Sequence, residues 1–373
     1  ALVIESYGAY IARSIETPSP ELGAALAEVM EPPTTMADLM PLVQANQIFL
    51  DAFYDDGGIP NSSLKAPSSD ARIGVPLLVQ VVREWSSHGQ AQRIQTFTPI
   101  VDAIRHAVHG NAAPRILVPG SGLGRLVHDL ADALIADHAH GLVGGQAKHG
   151  PPELTPELVA VESDVHAQLM ARHLLEPPQS NYEQEVDCND GRPGIASGDE
   201  RTSWLIYPAI HLANGWANAT GRLAGLRVPD VLASKRVEVQ ARASVKLVVG
   251  RFPDVMSHVG HDFQPFDAVA TSFFLDVAAD VLVVIESFRM LLMGGRGTWA
   301  NLGPLAYPDA PQEAMGGAQT AYALSASQLL ALVRRGGFDI LEEHLTECEY
   351  GGLPGRLEHT VRTCLFFVAK PTS

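Results

Sequence analysis

The feature that most constrains the fold is a short apolar strand that runs directly into a glycine-rich turn, in the stretch RILVPGSGLGRL at residues 115–126. Residues 116–118 have the pattern of a buried parallel strand, and apolar residues return at helical spacing from Leu126 onward. The turn between them has glycine at alternate positions, Gly120, Gly122 and Gly124. A strand, a glycine turn and a helix in this order open the nucleotide site of a doubly wound α/β domain.

The spacing of these glycines narrows the choice of ligand. A dinucleotide fingerprint requires G-x-G-x-x-G, and its third glycine would stand where this chain has Arg125. The observed G-x-G-x-G spacing is the form common in S-adenosylmethionine-dependent methyltransferases. A glycine-rich turn can also be only a tight connection. Because a strand precedes it and a helix follows it, we expect a turn that binds S-adenosylmethionine rather than NAD.

Strand and helix patterns alternate after the turn, as in a mainly parallel sheet covered by helices. Further strands are predicted at residues 158–161, 245–249, 266–271 and 297–301, and a final antiparallel pair at 338–344 and 363–368. The sequence therefore predicts an α/β fold of the Rossmann-like, class I methyltransferase type, with a mainly parallel sheet and an antiparallel end.

Two regions are predicted along the chain. Residues 1–110 show apolar residues at helical spacing and form an N-terminal helical region, either a structural cap or a lid over the cofactor. Residues 111–373 form the sheet domain, with insertions at about 137–155 and an irregular segment at 181–243. The apolar start of the chain contains Glu5 and lacks a basic lead-in, so we interpret it as a helix rather than a signal peptide.

Charge and composition limit the partners. The net charge is −16, from 42 acidic and 26 basic residues, which argues against nucleic acid or an anionic membrane as the main partner. No run of 18 apolar residues predicts a membrane span. Three scattered cysteines favour a reducing, cytoplasmic location. We expect a small-molecule acceptor, leave a homodimer open, and predict no metal, because His138, His140 and His149 lack ligands at metal-binding spacing.

Three candidate residues follow the predicted strands. Glu162 ends the second strand, where an acid can accept both ribose hydroxyls of an adenosine or merely precede a helix. Ser272 and Asp276, in the stretch TSFFLD, follow the strand at 266–271. Ser272 would lie at the cofactor edge, and Asp276 would either face the substrate or cap the next helix. Tyr207 and His211 stand in an irregular segment, where a lone histidine is more often structural.

Several motifs together resemble one known family. They are REWSSHGQAQR at 83–93, ILVPGSGLGRL at 116–126, VESDVHAQLM at 161–170, YPAIHLAN at 207–214, and the pair TSFFLDVAADVLVVIESFRMLLMGG and TWANLGPLAY at 271–307. In this order, over roughly residues 75–371, the chain resembles the carnosine N-methyltransferase family. The resemblance implies transfer of a methyl group from S-adenosylmethionine to an imidazole nitrogen of a small, carnosine- or histidine-like acceptor.

The resemblance also implies roles for individual residues. Cofactor contacts are implied for Gln90, Arg93, Gly120, Gly122, Gly124, Glu162 and Ser272. We also predict that Arg251 and Phe252 contact the cofactor. An acceptor contact is implied for Asp276, which would hold the imidazole as the catalytic residue. We also predict that Tyr207, His211 and Tyr307 contact the acceptor.

Three departures from the family pattern bear on these roles. Arg251 in VVGRF stands where the family usually has an aspartate near the adenine. Pro308 and Asp309 follow Tyr307 where the family has a histidine, and the stretch LEHTVRTC at 357–364 lacks the family's tyrosines. A related imidazole or amine acceptor, an O- or C-methyltransferase, and a non-catalytic scaffold therefore remain alternatives.

Overall fold

The structure, a computed structural model, describes residues 36–56, 71–141, 155–176, 203–211, 216, 221, 223–254, 264–278, 280–292, 297–307 and 323–372. The helices are α1 (Met36–Asp56), α2 (Ala71–Trp85), α3 (Gln90–Thr96), α4 (Thr98–Ala107), α5 (Arg125–Gly141), α6 (Val165–Leu175), α7 (Ala233–Arg242), α8 (Val281–Leu291) and α9 (Ala326–Arg335). The strands are β1 (Arg115–Pro119), β2 (Glu157–Glu162), β3 (Trp204–Ile206), β4 (Leu226–Val228), β5 (Ser244–Val249), β6 (Ala268–Ser272), β7 (Thr298–Gly303), β8 (Phe338–Tyr350) and β9 (Thr360–Pro371).

The chain divides into two compact units. The first takes in the described residues of Ala1–Gln90, Pro178–Ala233 and Gly351–Thr360, and the second those of Ala91–Pro177, Ser234–Tyr350 and Val361–Ser373. In the first unit, helix α1 packs on the antiparallel pair β3–β4, with the Phe49 and Trp204 rings edge to face at 5.8 Å. The predicted boundary near residue 110 stays a prediction.

A seven-stranded sheet in the order β5–β2–β1–β6–β7–β9–β8 forms the centre of the second unit. Strands β5, β2, β1, β6 and β7 are parallel, whereas β9 runs antiparallel to β7. The predicted fold class, a mainly parallel sheet with an antiparallel end, is confirmed.

Both faces of the central strands β1, β6 and β7 are buried, as the continuous apolar runs of these strands require. Alternate residues face opposite sides: Ile116 and Val118 of β1 join one core cluster, and Leu117 joins the other. Residues of α4 and α5 complete the first cluster, and residues of α8 and α9 complete the second. The sheet is therefore a rigid platform, and only the ends of its strands can present functional groups.

The prediction of an irregular segment at 181–243 is wrong at its carboxyl end, where α7 is a regular helix of ten residues. Its sequence, ASKRVEVQAR, has few apolar residues, and its buried positions are Arg236 and Val239. The Arg236 guanidinium donates to the Leu174 carbonyl at 2.9 Å. A charged side chain thus occupies a position where helical periodicity would require an apolar one.

Two kinds of feature are absent from the described residues. None of the helices there combines the length and the apolar character that crossing a bilayer requires. The same part of the chain holds no group of three or more His, Cys, Asp or Glu side chains that could bind a metal ion. The predicted insertion at 137–155 overlaps the end of α5, and its residues 142–154, with His149, lie outside the described residues.

Candidate active site

The candidate residues of the second unit follow the carboxyl ends of five adjacent parallel strands. In the spatial order of the sheet, Arg251 follows β5, Glu162 ends β2, the glycine turn follows β1, Asp276 follows β6 and Tyr307 follows β7. Ligands of open α/β sheets bind at this edge. One half of the edge, at β5, β2 and β1, therefore carries most of the predicted cofactor residues, and the other half, at β6 and β7, carries Ser272 and the predicted acceptor residues of this unit.

The glycine turn has the backbone that its sequence predicts. Gly120, Gly122 and Gly124 all have positive φ, at 65°, 54° and 79°. The Gly120 and Ser121 amides donate to the Val161 carbonyl at 2.8 and 3.2 Å, which fixes the turn to the end of β2. A Cβ atom on Gly120 would lie 2.7 Å from Cδ2 of Phe274, so the turn also lies directly against the TSFFLD loop.

Replacing Gly120 with alanine should therefore destabilise the fold in two ways. A positive φ costs an alanine about 1–2 kcal/mol, and the contact with Phe274 adds roughly 1–3 kcal/mol of overpacking. Gly110→Ala is the matched control, because Gly110 has a φ of 82° but a Cβ atom on it would meet no described atom within 4 Å. Urea unfolding should give the larger loss for Gly120→Ala, and equal losses would contradict the contact.

Glu162 is oriented by the backbone on both sides of it. Its Oε2 accepts from the Gly122 amide at 3.0 Å, and its Oε1 accepts from the Asp164 amide at 2.9 Å. Burial raises the pKa of the carboxyl, and these two hydrogen bonds oppose the rise. Ser163 Oγ also donates to Oε1 at 3.4 Å. Oε2 has a second lone pair, so Glu162 can accept a further donor while remaining fixed to the glycine turn.

Arg251 and Phe252, both predicted to contact the cofactor, differ in their surroundings. Arg251 is exposed, and its Nε donates to Oδ2 of Asp254 at 2.7 Å. Phe252 is 4% exposed and packs edge to face on Phe274 and Phe288, at 6.2 and 5.1 Å between ring centroids. The cofactor roles of both residues stay predictions.

Two serine hydroxyls at this edge are suited to a bound cofactor. Ser121 Oγ, in the glycine turn, and Ser272 Oγ, at the end of β6, are buried and have no hydrogen-bond partner among the described residues. A buried hydroxyl without a partner costs about 1–3 kcal/mol, which a polar ligand would recover. The positive-φ glycines, the Glu162 carboxylate and these hydroxyls together fit the polar groups of an adenosine-containing cofactor.

Asp276 is the buried acid of the acceptor half, at 7% exposure. Its Oδ2 accepts from the Ala306 amide at 3.2 Å, whereas its Oδ1 is buried without a hydrogen-bond partner in the described part of the chain. Burial raises the pKa of the carboxyl, while the Ala306 amide and the positive charge of Arg362 lower it. The alternative that Asp276 caps the following helix is wrong, because Asp280 caps α8.

Tyr307 lies on the same side of the edge as Asp276. Burial raises the pKa of the Tyr307 phenol, the Leu324 backbone partly offsets this, and the negative charge of Asp276 raises it further. The phenol therefore stays protonated at neutral pH and can donate a hydrogen bond. Asp276 and Tyr307 thus act on one another electrostatically, and their predicted contacts with the acceptor stay predictions.

The other predicted residues belong to α3 and to the first unit. Arg93 is buried within α3, and Gln90 is the exposed first residue of that helix. In the first unit, the Asn46 side chain holds the Tyr207 backbone with two hydrogen bonds, of 2.7 and 2.9 Å. His211 ends a short 3-10 helix, and its side chain lies outside the described residues. Their functional roles stay predictions.

Sequence reasoning missed a polar network that fixes the strands beneath the site. Trp299 Nε1 donates to Thr271 Oγ1 at 2.9 Å, and Thr271 Oγ1 donates to Asn301 Oδ1 at 2.9 Å. Asn301 Nδ2 then donates to the Leu365 carbonyl at 3.2 Å, so the network joins β6, β7 and β9. Trp299 and Asn301 could have indicated this network, because they stand in an otherwise apolar strand, where buried polar groups need partners.

The chain is similar to proteins of one family. A family model described as carnosine N-methyltransferase matches residues 61–139 and 195–373, more than half of the chain. The carnosine N-methyltransferase of Dictyostelium discoideum is 25% identical over 303 residues, covering 79% of this chain and 54% of that protein. The carnosine N-methyltransferase of Schizosaccharomyces pombe is 24% identical over 290 residues, covering 74% of this chain and 64% of that protein.

The chain thus spans between about half and two thirds of the length of these relatives. Among solved structures it is similar to YcgJ from Bacillus subtilis, with a TM-score of 0.38 and 9% identity over 74% of this chain and 99% of that one. It is also similar to TehB from Haemophilus influenzae, with a TM-score of 0.38 and 8% identity over 78% of this chain and 67% of that one.

Proposed function

The chain belongs to the carnosine N-methyltransferase family, and from this premise we propose that it is an S-adenosylmethionine-dependent N-methyltransferase with a small imidazole-containing acceptor. The observation that carries the proposal is the state of Asp276. Its carboxylate is buried, one oxygen is held by the Ala306 amide, and the other has no partner among the described residues. An acceptor N–H would supply the missing donor.

The cofactor half of the edge would hold S-adenosylmethionine. The glycine turn would receive the methionine part, Glu162 would accept the ribose hydroxyls, and Ser272 would lie beside them. When bound, the cofactor supplies an electrophilic methyl group on a sulfonium. The resemblance adds Gln90 and Arg93 for the cofactor. Tyr207, His211 and Tyr307 are further proposed contacts of the acceptor.

Asp276 would prepare the nucleophile. A neutral imidazole has one protonated nitrogen and one with a free lone pair. By accepting the N–H, Asp276 fixes the tautomer and aims the other nitrogen away from itself. As the ring becomes alkylated it gains positive charge, which the Asp276 carboxylate stabilises. No strong general base is required, so the protein contributes mainly position and electrostatics.

Product analysis with candidate acceptors tests the proposed function. The purified protein is incubated with S-adenosylmethionine and carnosine, histidine, or matched compounds in which an alcohol or an activated carbon replaces the imidazole. We expect mass spectrometry to find a single added methyl group on the imidazole ring. Methylation only at oxygen or carbon would replace the proposed acceptor, and cofactor binding without any product would favour a scaffold.

One observation favours the scaffold alternative, namely the cation at position 251. Arg251 and Asp254 form an ion pair in which both side chains are exposed. Exposed ion pairs contribute about 0–1 kcal/mol to stability. We therefore expect Arg251→Ala to change the affinity for S-adenosylhomocysteine by no more than about fivefold. Asp254→Ala is the control, because it removes the same ion pair. In a calorimetric titration, a gain of more than about tenfold for Arg251→Ala alone would mean that Arg251 obstructs the site.

A further inference from the structure

Arg362 lies on a part of β9 that extends past the end of the neighbouring strand. Gly303, the last residue of β7, pairs with Leu365 of antiparallel β9. The residues of β9 before Leu365 therefore continue beyond the carboxyl end of β7, at the edge where Asp276 and Tyr307 lie. Neither periodicity nor a motif singles out this arginine, because its position depends on the register of β9.

The Arg362 side chain rests on a stack of aromatic rings. Its guanidinium carbon lies 4.9 Å from the centre of the Tyr350 ring, and that ring stacks on Phe273 at 5.2 Å with an interplanar angle of 21°. Phe273 belongs to the TSFFLD loop, and its amide donates to the Leu302 carbonyl at 3.0 Å. The stack therefore joins β9, β8 and the Asp276 loop and limits the freedom of a long side chain before any ligand arrives.

The guanidinium has unused hydrogen-bonding capacity. Arg362 Nε is buried and has no hydrogen-bond partner among the described residues, and no carboxylate in that part of the chain forms an ion pair with Arg362. The guanidinium carbon lies over the Tyr350 ring, and a cation–π contact takes up none of the N–H donors of the guanidinium. A planar fork of donors of this kind matches a carboxylate or phosphate with two parallel hydrogen bonds.

The charges of Arg362 and Asp276 act on the same small region. The positive charge of Arg362 lowers the pKa of the Asp276 carboxyl against the effect of burial. Both charges also act on the Cys364 thiol, whose pKa burial raises to about 12. The charges of Asp276 and Arg362 thus influence one another without an ion pair between the two side chains, and such an arrangement matches an acceptor with an N–H group and an anionic group.

We propose that Arg362 is a specificity residue that binds an anionic group, a carboxylate or a phosphate, on the acceptor while Asp276 binds the imidazole N–H. The inference rests on the proposed function for the identity of the acceptor ring. It narrows the acceptor class to imidazoles that carry an anion. It also offers a different means of holding the acceptor, at the strand where the family's tyrosines are absent.

Two matched acceptor pairs test the proposal. Carnosine is compared with its carboxamide, and histidinol phosphate with histidinol, in methyl transfer by the wild-type protein and by Arg362→Gln. Hydrogen bonds to charged groups predict a roughly 10- to 100-fold preference in kcat/KM for at least one anionic member. Arg362→Gln should abolish that preference while leaving the member without the anionic group within about threefold of wild type. The pair that shows the preference identifies the anion as carboxylate or phosphate.

Two further variants separate anion binding from other effects. Arg362→Lys keeps the charge without the planar fork and should retain part of the preference. Arg172→Gln is the control, because Arg172 is an exposed arginine paired with Glu176 at 3.3 Å at the far end of α6. It should leave both pairs unchanged.

Several outcomes would overturn the inference. An equal loss of activity on both members of each pair in Arg362→Gln would mean that Arg362 acts only through Asp276. No preference in the wild-type protein would contradict the anion site directly. If no imidazole is methylated, the proposed function fails, and calorimetry of carnosine and its carboxamide with the S-adenosylhomocysteine-loaded protein decides Arg362 separately. Preferential carnosine binding that Arg362→Gln abolishes would support the anion site even then, and its absence would contradict it.

Discussion

Asp276→Asn should lower turnover by about 10²- to 10³-fold, the usual effect of removing one group that stabilises charge developing in the transition state. An amide of the same shape can still meet the Ala306 amide, but it has no negative charge to oppose the charge that forms on the imidazole. Affinity for S-adenosylmethionine should stay near wild type. Steady-state kinetics with the acceptor found by product analysis, together with calorimetry, measures both quantities.

The stability of Asp276→Asn shows whether its loss of activity comes from a loss of folding. The pKa of Asp276 is raised in the folded protein, so the folded state disfavours the ionised carboxyl relative to the unfolded chain. Above the pKa of Asp276 in the unfolded chain, the ionised carboxylate therefore lowers the free energy of unfolding. This loss of stability disappears as the pH falls and the carboxyl is protonated. Asp276→Asn should consequently unfold at the same or a higher urea concentration than wild type at neutral pH.

A nearby substitution of the same kind serves as the control. Asp280 caps α8 by accepting from the Leu282 amide at 2.8 Å, and asparagine caps a helix as well as aspartate. Asp280→Asn should therefore leave both turnover and stability unchanged. Wild-type turnover in Asp276→Asn would show that Asp276 does not hold the acceptor, and an equal loss in both variants would point to general charge effects.

Glu162→Gln should weaken the binding of S-adenosylhomocysteine by roughly 10- to 100-fold, which corresponds to losing one hydrogen bond to a charged acceptor. Hydrogen bonds from the backbone make the effect larger than that of replacing an exposed acid. Since the Gly122 and Asp164 amides already donate to the two carboxylate oxygens, the NH₂ group of a glutamine must face one of these donors. Isothermal titration calorimetry measures the change.

Glu157→Gln is the matched control on the same strand. Glu157 lies at the opposite end of β2, where its carboxylate pairs with Arg115 at 3.0 Å and with Lys246 at 2.7 Å. Its substitution should lower stability without changing cofactor affinity. Unchanged affinity in Glu162→Gln, or an equal change in both variants, would show that Glu162 does not receive the ribose.

Local patterns predicted the parts of this edge that are built from consecutive residues. The strand and glycine turn at 115–126 carry their own signal, because buried strands are apolar and positive φ favours glycine. Asp276 could be placed because it follows a recognisable strand end. The sequence could not decide whether Asp276 caps a helix or faces the substrate. The structure excludes the helix cap, because Asp280 caps α8.

The features that sequence reasoning missed depend on contacts between distant segments. Arg362 meets Tyr350 and Phe273 only because three strands align in one register. Asn46 holds the Tyr207 backbone across 161 positions of the chain. Helix α7 was missed for a different reason, since its buried Arg236 breaks the apolar period that would have indicated a helix.

The most direct test of a methyltransferase site is a calorimetric titration of the wild-type protein with S-adenosylmethionine, S-adenosylhomocysteine and, for comparison, NAD. We expect micromolar binding of the first two, at one site per chain, and no comparable binding of NAD. Failure of a folded protein to bind either sulfur compound would contradict the assignment of the glycine turn and Glu162 as a cofactor site, and would favour the scaffold alternative.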